Sequence, residues 1–200
     1  MINTFGKSTG VFLASSVLAV DILHAAVLEE IVVTAQKRSE NLQDVPIAIT
    51  ALGQERLENS GFNNIADLSM MSPSMQFGNF GPITFVSMRG IGNENTTAGG
   101  DPGVAMHIDG VYLGRPAASL FTAFDMERVE ILRGPQGTLY GRNATGGSIN
   151  LITKKPDLEE FSGKVDLTYG DYDWTRVRAG LNVPVSETVG LRLSVYGEER

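Results

Sequence analysis

The C-terminal part of the chain carries the feature that restricts its fold most strongly. After Pro156, apolar and polar residues alternate over three successive segments, 164–169, 176–183 and 191–197. A repeat of two residues is the period of a β-strand, whose successive side chains point to opposite faces. Turn-forming residues separate the segments, at Gly170-Asp171 and from Pro184 to Thr188. The pattern predicts an antiparallel meander with one apolar side and one polar side.

Two environments can cover the apolar side of this meander. In a soluble sandwich it packs against a second sheet, whereas in a membrane barrel it faces lipid. The N-terminus favours the barrel. Lys7 precedes an uncharged run from Ser8 to Val20, which is too short to cross a bilayer as a helix but has the length of a signal-peptide core. We predict a signal peptide at residues 1–26, with a buried N-terminal helix as the alternative, and barrel strands from residue 157 onward.

Three strands alone would leave an open sheet edge, and hydrocarbon does not tolerate the unpaired backbone groups of such an edge. We therefore expect the barrel to continue beyond Arg200, so that these 200 residues form the front part of a longer protein. No later segment approaches the roughly 20 apolar residues that a transmembrane helix requires.

Composition argues against several other functions. A net charge of −7 with only 16 Lys and Arg residues disfavours nucleic-acid binding, which needs clustered cations. The absence of cysteine excludes disulfides and thiolate metal sites, and His24 and His107 are too few for a His-rich metal site. We predict neither a cofactor nor a resident metal.

A glycine-rich stretch from Arg133 to Lys155 raises the question of phosphate binding. A P-loop needs Lys followed by Ser or Thr after its last glycine, and a dinucleotide fingerprint needs Gly-x-Gly-x-x-Gly between a strand and a helix. The glycines here match neither spacing, and no nucleophile elbow or catalytic Cys-His pair occurs elsewhere. We predict a tight, turn-rich support closed by a strand at Ile149–Thr153, and no enzyme activity.

The region before Pro156 is predicted to mix short strands and helices. The predicted helices are Leu52–Asn59, preceded by a strand at Ile47–Ile49 and ended by Gly61, and Ile65–Met71, with Asn63 or Asn64 as its N-cap. The predicted strands are Thr84–Met88, Val104–Ile108 and Val129–Leu132. Asp109-Gly110 between apolar residues predicts a two-residue hairpin turn.

Three motifs in this region resemble the plug domain of TonB-dependent outer-membrane receptors. They are Val129-Glu130-Ile131-Leu132-Arg133-Gly134-Pro135, Leu139-Tyr140-Gly141 and Ala144-Thr145-Gly146-Gly147-Ser148-Ile149-Asn150. Supporting segments lie upstream in the family's order, at Val45–Ile49, Met88–Ile91 and Val104–Tyr112. The resemblance implies an α+β plug, a small mixed sheet with short helices, at residues 40–156. An antiparallel transmembrane β-barrel of about 22 strands would enclose it, and only the first of these strands are present.

Next to these motifs, the hexapeptide Glu30-Ile31-Val32-Val33-Thr34-Ala35 resembles a TonB box, within a segment at residues 27–39. Receptors of the family offer this box to the periplasmic protein TonB. A β-branched, proline-free hexapeptide can add as a strand to a partner's sheet edge, so that main-chain hydrogen bonds transmit a pull. Taken alone, an apolar hexapeptide is more often a core strand. Because the box follows the signal peptide directly, we expect no additional N-terminal signalling domain.

The resemblance also implies ionic contacts. In the family, plug arginines pair with barrel glutamates, and Arg89 and Arg133 occupy the matching Arg-Gly positions. Glu130 lies two strand positions from Arg128 and is a candidate partner within the plug. If these arginines were exposed, such pairs would contribute only about 0–1 kcal/mol each.

Ligand contacts are implied on the plug loops that face outside, here residues 77–82, 93–103 and 112–121. Phe80, Tyr112 and Arg115 are the predicted contacts, an aromatic lining with one cation for an anionic chelate. Solvated connectors are the alternative for each of them.

Together these features predict a receptor for energy-coupled uptake of a scarce nutrient, and a ferric siderophore is the ligand class that the resemblance favours. Cobalamin, haem and oligosaccharides are alternatives, and a secreted β-rich binding or adhesion module is the alternative from another class. The implied partners are TonB with its inner-membrane energising complex, an iron chelate and outer-membrane lipid.

Overall fold

A computed structural model describes residues 31–62, 64–80, 83–92, 100–114 and 124–199. The predicted signal peptide, Glu30 of the predicted box and Arg115 lie outside these residues, as does the side chain of Phe80. Among the described residues, no helix has the length and apolar character needed to cross a membrane.

The described chain forms four sheets and a few short helices. The strands are β1 (Val32–Val33), β2 (Glu40–Asn41), β3 (Ile49–Gly53), β4 (Met75–Phe80), β5 (Ile83–Met88), β6 (Ile91–Gly92), β7 (Val104–Ile108), β8 (Val111–Tyr112), β9 (Met126–Arg133), β10 (Gly147–Thr153), β11 (Ser162–Tyr169), β12 (Thr175–Ser186) and β13 (Val189–Glu199). The helices are α1 (Gln54–Asn59), a 3₁₀ turn (Ile65–Asp67), α2 (Leu68–Met71) and α3 (Gly137–Tyr140). Strands β1 and β2 pair with each other, and β4, β5 and β6 form a second small sheet.

The central sheet has five strands in the order β3-β9-β10-β7-β8. Only the β10–β7 pair is parallel among the described pairs of this sheet. One face packs on the main apolar core, to which β9 contributes Val129 and Ile131. The alternate residues of the same strand, Glu130 and Leu132, point to the opposite face, which the N-terminal segment covers. The fold is the mixed sheet with short helices that the sequence predicts.

The predicted turns and caps are found in this domain. Asp109 and Gly110 have φ values of 47° and 83°, as a type I′ hairpin requires, and they join β7 to β8. The helix predicted at Ile65–Met71 is found as the 3₁₀ turn followed by α2, and Asn64 caps the 3₁₀ turn through a capping box with Asp67. Gly61 follows α1 with a φ of 70°, the left-handed conformation predicted for it.

Several predicted boundaries are wrong. The strand predicted at Ile47–Ile49 is found at Ile49–Gly53. Helix α1 begins at Gln54 rather than Leu52, because Leu52 is held in β3 opposite Val129 and is fully buried. The segment predicted as a ligand loop from Phe77 is strand for most of its length, since β4 runs to Phe80 and pairs with β5. Phe77 itself packs against the main core.

The glycine-rich stretch is a packing device. A Cβ atom at Gly147 would lie 2.3 Å from the carbonyl oxygen of Leu132, and one at Gly146 would lie 2.8 Å from that of Ile91. Only glycine allows the first residue of β10 to come so close to its neighbours. This agrees with the prediction of a tight support.

Strands β11, β12 and β13 form the predicted antiparallel meander. Its apolar side is exposed, with Leu167 74% and Leu193 61% accessible. Its polar side carries Arg178 and Arg192, which are largely buried against the rest of the protein. One turn is shorter than predicted: β12 continues through Pro184 to Ser186, with a register shift between them.

Candidate functional site

The predicted box segment is docked on the central sheet. Strand β1 pairs with β2, so that Val32 lies opposite Asn41 and Val33 opposite Glu40. Val33 and Ala35 are fully buried in a small apolar cluster with Leu132 of β9. Two alternate residues of the hexapeptide, Val33 and Ala35, therefore dock it on its own domain, while Val32 between Ile31 and Val33 is 45% exposed.

Glu130, on the face of the central sheet that the segment covers, binds the docked segment through Thr34. Its Oε1 accepts hydrogen bonds from the Thr34 amide at 2.7 Å and from the Thr34 hydroxyl at 3.1 Å. Arg128 Nε donates to the same oxygen at 2.9 Å, and Arg128 also pairs with Glu127. The Glu130 side chain is fully buried, so its carboxyl group depends on these partners for its hydrogen bonds.

Tyr140 makes the second polar contact to the segment. Its hydroxyl donates to the Ala35 carbonyl at 2.8 Å and accepts from Asn150 Nδ2 at 2.7 Å. Burial raises the pKa of the Tyr140 phenol, and the nearby Glu130 carboxylate adds to the increase. The hydroxyl therefore remains a donor at neutral pH.

A row of buried polar groups continues from Asn150 along the same face of the sheet. Ser148 Oγ donates to Asn150 Oδ1 at 3.1 Å and lies 3.2 Å from His107 Nδ1. Since the single hydroxyl proton is used for Asn150, His107 donates to Ser148. Burial lowers the pKa of His107, and the charge of Lys37 lowers it further, so the ring is neutral at pH 7.

The row ends near the start of β7. The His107 ring contacts the Tyr112 ring with centroids 5.5 Å apart, and Asn143 Nδ2 donates to the Tyr112 hydroxyl at 2.7 Å. Asn143 also donates to Asp101 at 3.2 Å. Tyr112, a predicted ligand contact, is therefore half-buried and joined to the same polar row.

A separate ionic contact joins the meander to the central domain. Arg192 of β13 donates to both carboxylate oxygens of Asp125, at 2.7 and 2.5 Å, and Ser194 donates to the same group. Burial acts to raise the pKa of Asp125, but the hydrogen bonds from Arg192 and Ser194 outweigh it and leave the pKa below its ordinary value. The more exposed pair of Lys164 and Glu58 lies 2.7 Å apart.

A cavity of about 540 Å³ lies beside these contacts, between α1 and the polar side of the meander. Its charged lining residues are Glu58, Asp125, Lys154, Lys164, Asp166, Arg176, Arg178 and Arg192. No group of three or more His, Asp or Glu side chains suited to a metal ion occurs in the part of the chain that the structure describes.

The predicted plug arginines, Arg89 and Arg133, do not take part in the described contacts between the meander and the central domain. Arg133 Nη2 donates to the Ile49 carbonyl at 3.3 Å, while its Nε is buried with no hydrogen-bond partner among the described residues. Arg89 is exposed and has a φ of 54°. Their pairing with barrel glutamates remains a prediction.

Sequence reasoning placed Arg192 on the polar side of its strand but did not identify Asp125 as its partner. It also did not identify Tyr140 as a contact of the box, or Asn150 as the residue that donates to the Tyr140 hydroxyl. Both residues lie in the quoted motifs, and a polar residue at alternate positions of a buried strand is the signal that would have found Asn150.

A mixed-sheet domain held against the polar side of strands whose other side is apolar and exposed defines a plug packed on the wall of a membrane barrel. Residues 41–148 match the family described as TonB-dependent Receptor Plug Domain. The chain belongs to this family, the TonB-dependent receptors of the outer membrane.

Several relatives are similar over most of this chain. The Pesticin receptor of Yersinia pestis is 31% identical over 163 residues, which are 78% of this chain and 23% of the relative. The Iron-regulated outer membrane virulence protein of Vibrio cholerae is 32% identical over 146 residues, 70% of this chain and 22% of the relative. The crystal structure of the ferric yersiniabactin uptake receptor FyuA from Yersinia pestis superimposes with a TM-score of 0.66 at 26% identity, over 75% of this chain and 24% of that one. The chain thus spans about a quarter of the length of these proteins.

Proposed function

We propose that the protein is the front part of an outer-membrane receptor that takes up a ferric siderophore and is energised through TonB. It binds and moves its ligand and does not convert it chemically. Ligand binding outside would make the box available to TonB, and the pull of TonB, driven by the proton gradient, would rearrange the plug to open a path.

The observation that carries this proposal is the orientation of the meander. Its polar side, with Arg192, binds the plug through Asp125, while Leu167 and Leu193 on its other side are uncovered. In water such a row of exposed apolar residues would be unfavourable, whereas lipid stabilises it. A secreted sandwich module would instead need a second sheet over this side, and none of the described strands supplies one.

The box at Ile31 to Thr34 supports the coupling role. Val32 and Val33 are already extended and paired as a strand, the form in which the segment can add to a partner's sheet edge. Their sheet with β2 is separate from the five-stranded sheet, so the segment can leave without breaking the ladder of the central sheet.

The ligand class rests on the relatives. One of the similar solved structures is a ferric yersiniabactin uptake receptor, and another relative is described as iron-regulated. Cobalamin, haem and oligosaccharides are the alternatives to be tested beside ferric siderophores.

Two experiments test the proposal. A strain lacking the gene should fail to grow under iron limitation on one of a panel of ferric siderophores, and growth should return with the full-length gene. Deletion of residues 29–35 should abolish uptake of that labelled siderophore while surface binding persists, because the box is needed for the pull alone. Uptake at the normal rate after the deletion would contradict the coupling role, and growth on haem or cobalamin only would replace the ligand class.

A further inference from the structure

The docked box has its own main-chain groups occupied. A strand that adds to a partner's sheet must offer free N–H and C=O groups along one edge. Here the Thr34 amide is bound by Glu130 and the Ala35 carbonyl is bound by Tyr140. In addition, Val33 and Ala35 are buried against the plug. The docked segment is therefore not available to a partner strand at these two groups.

Most of the hydrogen bonds that Glu130 accepts come from the box itself. Thr34 supplies two of the three hydrogen bonds that the structure gives to Glu130 Oε1, and the third comes from Arg128. The second oxygen, Oε2, is buried with no partner among the described residues. Departure of the box would expose Glu130 to water, which would then solvate the charge. The contact can therefore break without leaving a buried carboxylate unsolvated.

Tyr140 connects the box to β10 and, through it, to β7 on the far side of β10. Directional hydrogen bonds run from His107 through Ser148, Asn150 and Tyr140 to the Ala35 carbonyl. His107 in turn contacts Tyr112, which is bound by Asn143 together with Asp101. Asp101 lies just before β7, at the end of the sheet where the parallel strand β10 also begins. The other end of β10, at Thr153, lies beside the Asp109 turn.

We propose that Glu130 and Tyr140 are positioning residues that hold the box on the plug. Docking excludes pairing with a partner strand, because β2, Glu130 and Tyr140 together engage main-chain groups on both edges of the segment. The proposal rests on the function proposed above, since it assigns the box to a partner. It predicts that weakening either contact raises the fraction of receptor whose box is free, without any ligand.

The test uses a single cysteine, which is feasible because residues 1–200 contain none. In the purified full-length receptor, with any cysteine beyond residue 200 replaced by serine, Val33→Cys places a thiol at a fully buried position. Its rate of reaction with a maleimide measures the fraction of undocked box. Glu130→Gln and Tyr140→Phe should each raise this rate at least about fivefold, the change expected from the loss of roughly one net hydrogen bond.

Glu127→Gln is the matched control. Glu127 also pairs with Arg128, but it makes none of the described contacts to the box, so its replacement should leave the labelling rate within twofold. Equal rates in all three variants, or rapid labelling of the receptor that carries Val33→Cys as its single change in the plug, would overturn the proposal. Tyr140→Phe removes one hydroxyl only, so its result stands even if Glu130→Gln folds poorly.

A second readout separates this proposal from the function on which it rests. Binding of the purified periplasmic domain of TonB should tighten about as much as labelling accelerates. Faster labelling without any binding of TonB would support the docking roles of Glu130 and Tyr140 and would contradict the proposed coupling to TonB. Unchanged labelling in a receptor that still requires residues 29–35 for uptake would do the reverse.

Discussion

Apolar and polar residues alternate in strands of both the central sheet and the meander. The central sheet turns apolar residues inward, whereas the meander turns its polar residues inward. In β9, Val129 and Ile131 turn inward to the main apolar core. In β13, Leu191 and Leu193 turn outward and are more than half exposed, while Arg192 between them turns inward to the plug. A strand therefore does not bury its apolar side by default. What decides is the medium on the far side, which is protein for the first sheet and lipid for the second.

Leu193→Arg should have the largest effect on this contrast. A charged side chain on the lipid face near the middle of the membrane costs about 2–4 kcal/mol, so less receptor should reach the membrane in folded form. Heat-modifiable mobility on gels of outer-membrane fractions measures the folded barrel. Leu193→Val is the control and should behave normally. Normal assembly of the arginine variant would mean that this side of the meander does not face lipid.

Asp125→Asn tests the polar side of the meander, which faces the plug. It removes the charge that Arg192 binds and leaves a largely buried guanidinium without its anion, so the plug should be destabilised by about 1–3 kcal/mol. Because the folded-state pKa of Asp125 is lowered, the stabilisation is fully present above its ordinary pKa near 3.8 and is lost as pH falls through the lowered value.

Urea unfolding of the plug, followed by hydrogen exchange in β9, tests this at two pH values. The difference between the original protein and Asp125→Asn should be large at pH 7 and should shrink below about pH 4. A difference that does not change with pH would show that the carboxylate charge is not the source of the stabilisation.

Lys164→Gln should have the smallest effect. The Lys164–Glu58 pair also joins the meander to the plug, but both side chains are largely exposed to solvent, so the loss should be at most about 1 kcal/mol. The same unfolding measurement, made in low and high salt, should show this small difference vanish as salt increases. A loss equal to that of Asp125→Asn would mean that exposure does not rank these two contacts.

The local parts of the fold were predictable because their causes are local. Asp109-Gly110 selects its turn by tolerance of positive φ, and Asn64 selects a helix start by its side-chain oxygen. Strand β4 escaped prediction because Gly78 and Asn79 weaken its pattern, and its pairing with β5 supplies what propensity does not. The start of α1 was misplaced for the same reason, since Leu52 follows the pairing of β3 with β9.

The candidate site divides in the same way. The sequence predicted a TonB box from its β-branched residues and the motifs that follow it, but it could not show that Thr34 is bound by a carboxylate 96 positions away. Nor could it pair Asp125 with Arg192, because the two lie in different parts of the fold and 67 positions apart. Such contacts depend on the tertiary arrangement, because nothing in the local sequence of either residue indicates which distant residue it will contact.

By itself, the sequence determined the strands of the meander, the hairpin turn, the glycine-dependent approach of β10 and the family to which these features are similar. Each of these follows from a period, a dihedral preference or a short motif that acts within a few residues. Only the tertiary structure decided that the predicted box segment is docked, which residues hold it and which carboxylate Arg192 binds. Those outcomes depend on burying charged and polar groups against partners far along the chain, and the free energy of that burial is defined only once the partners are in place.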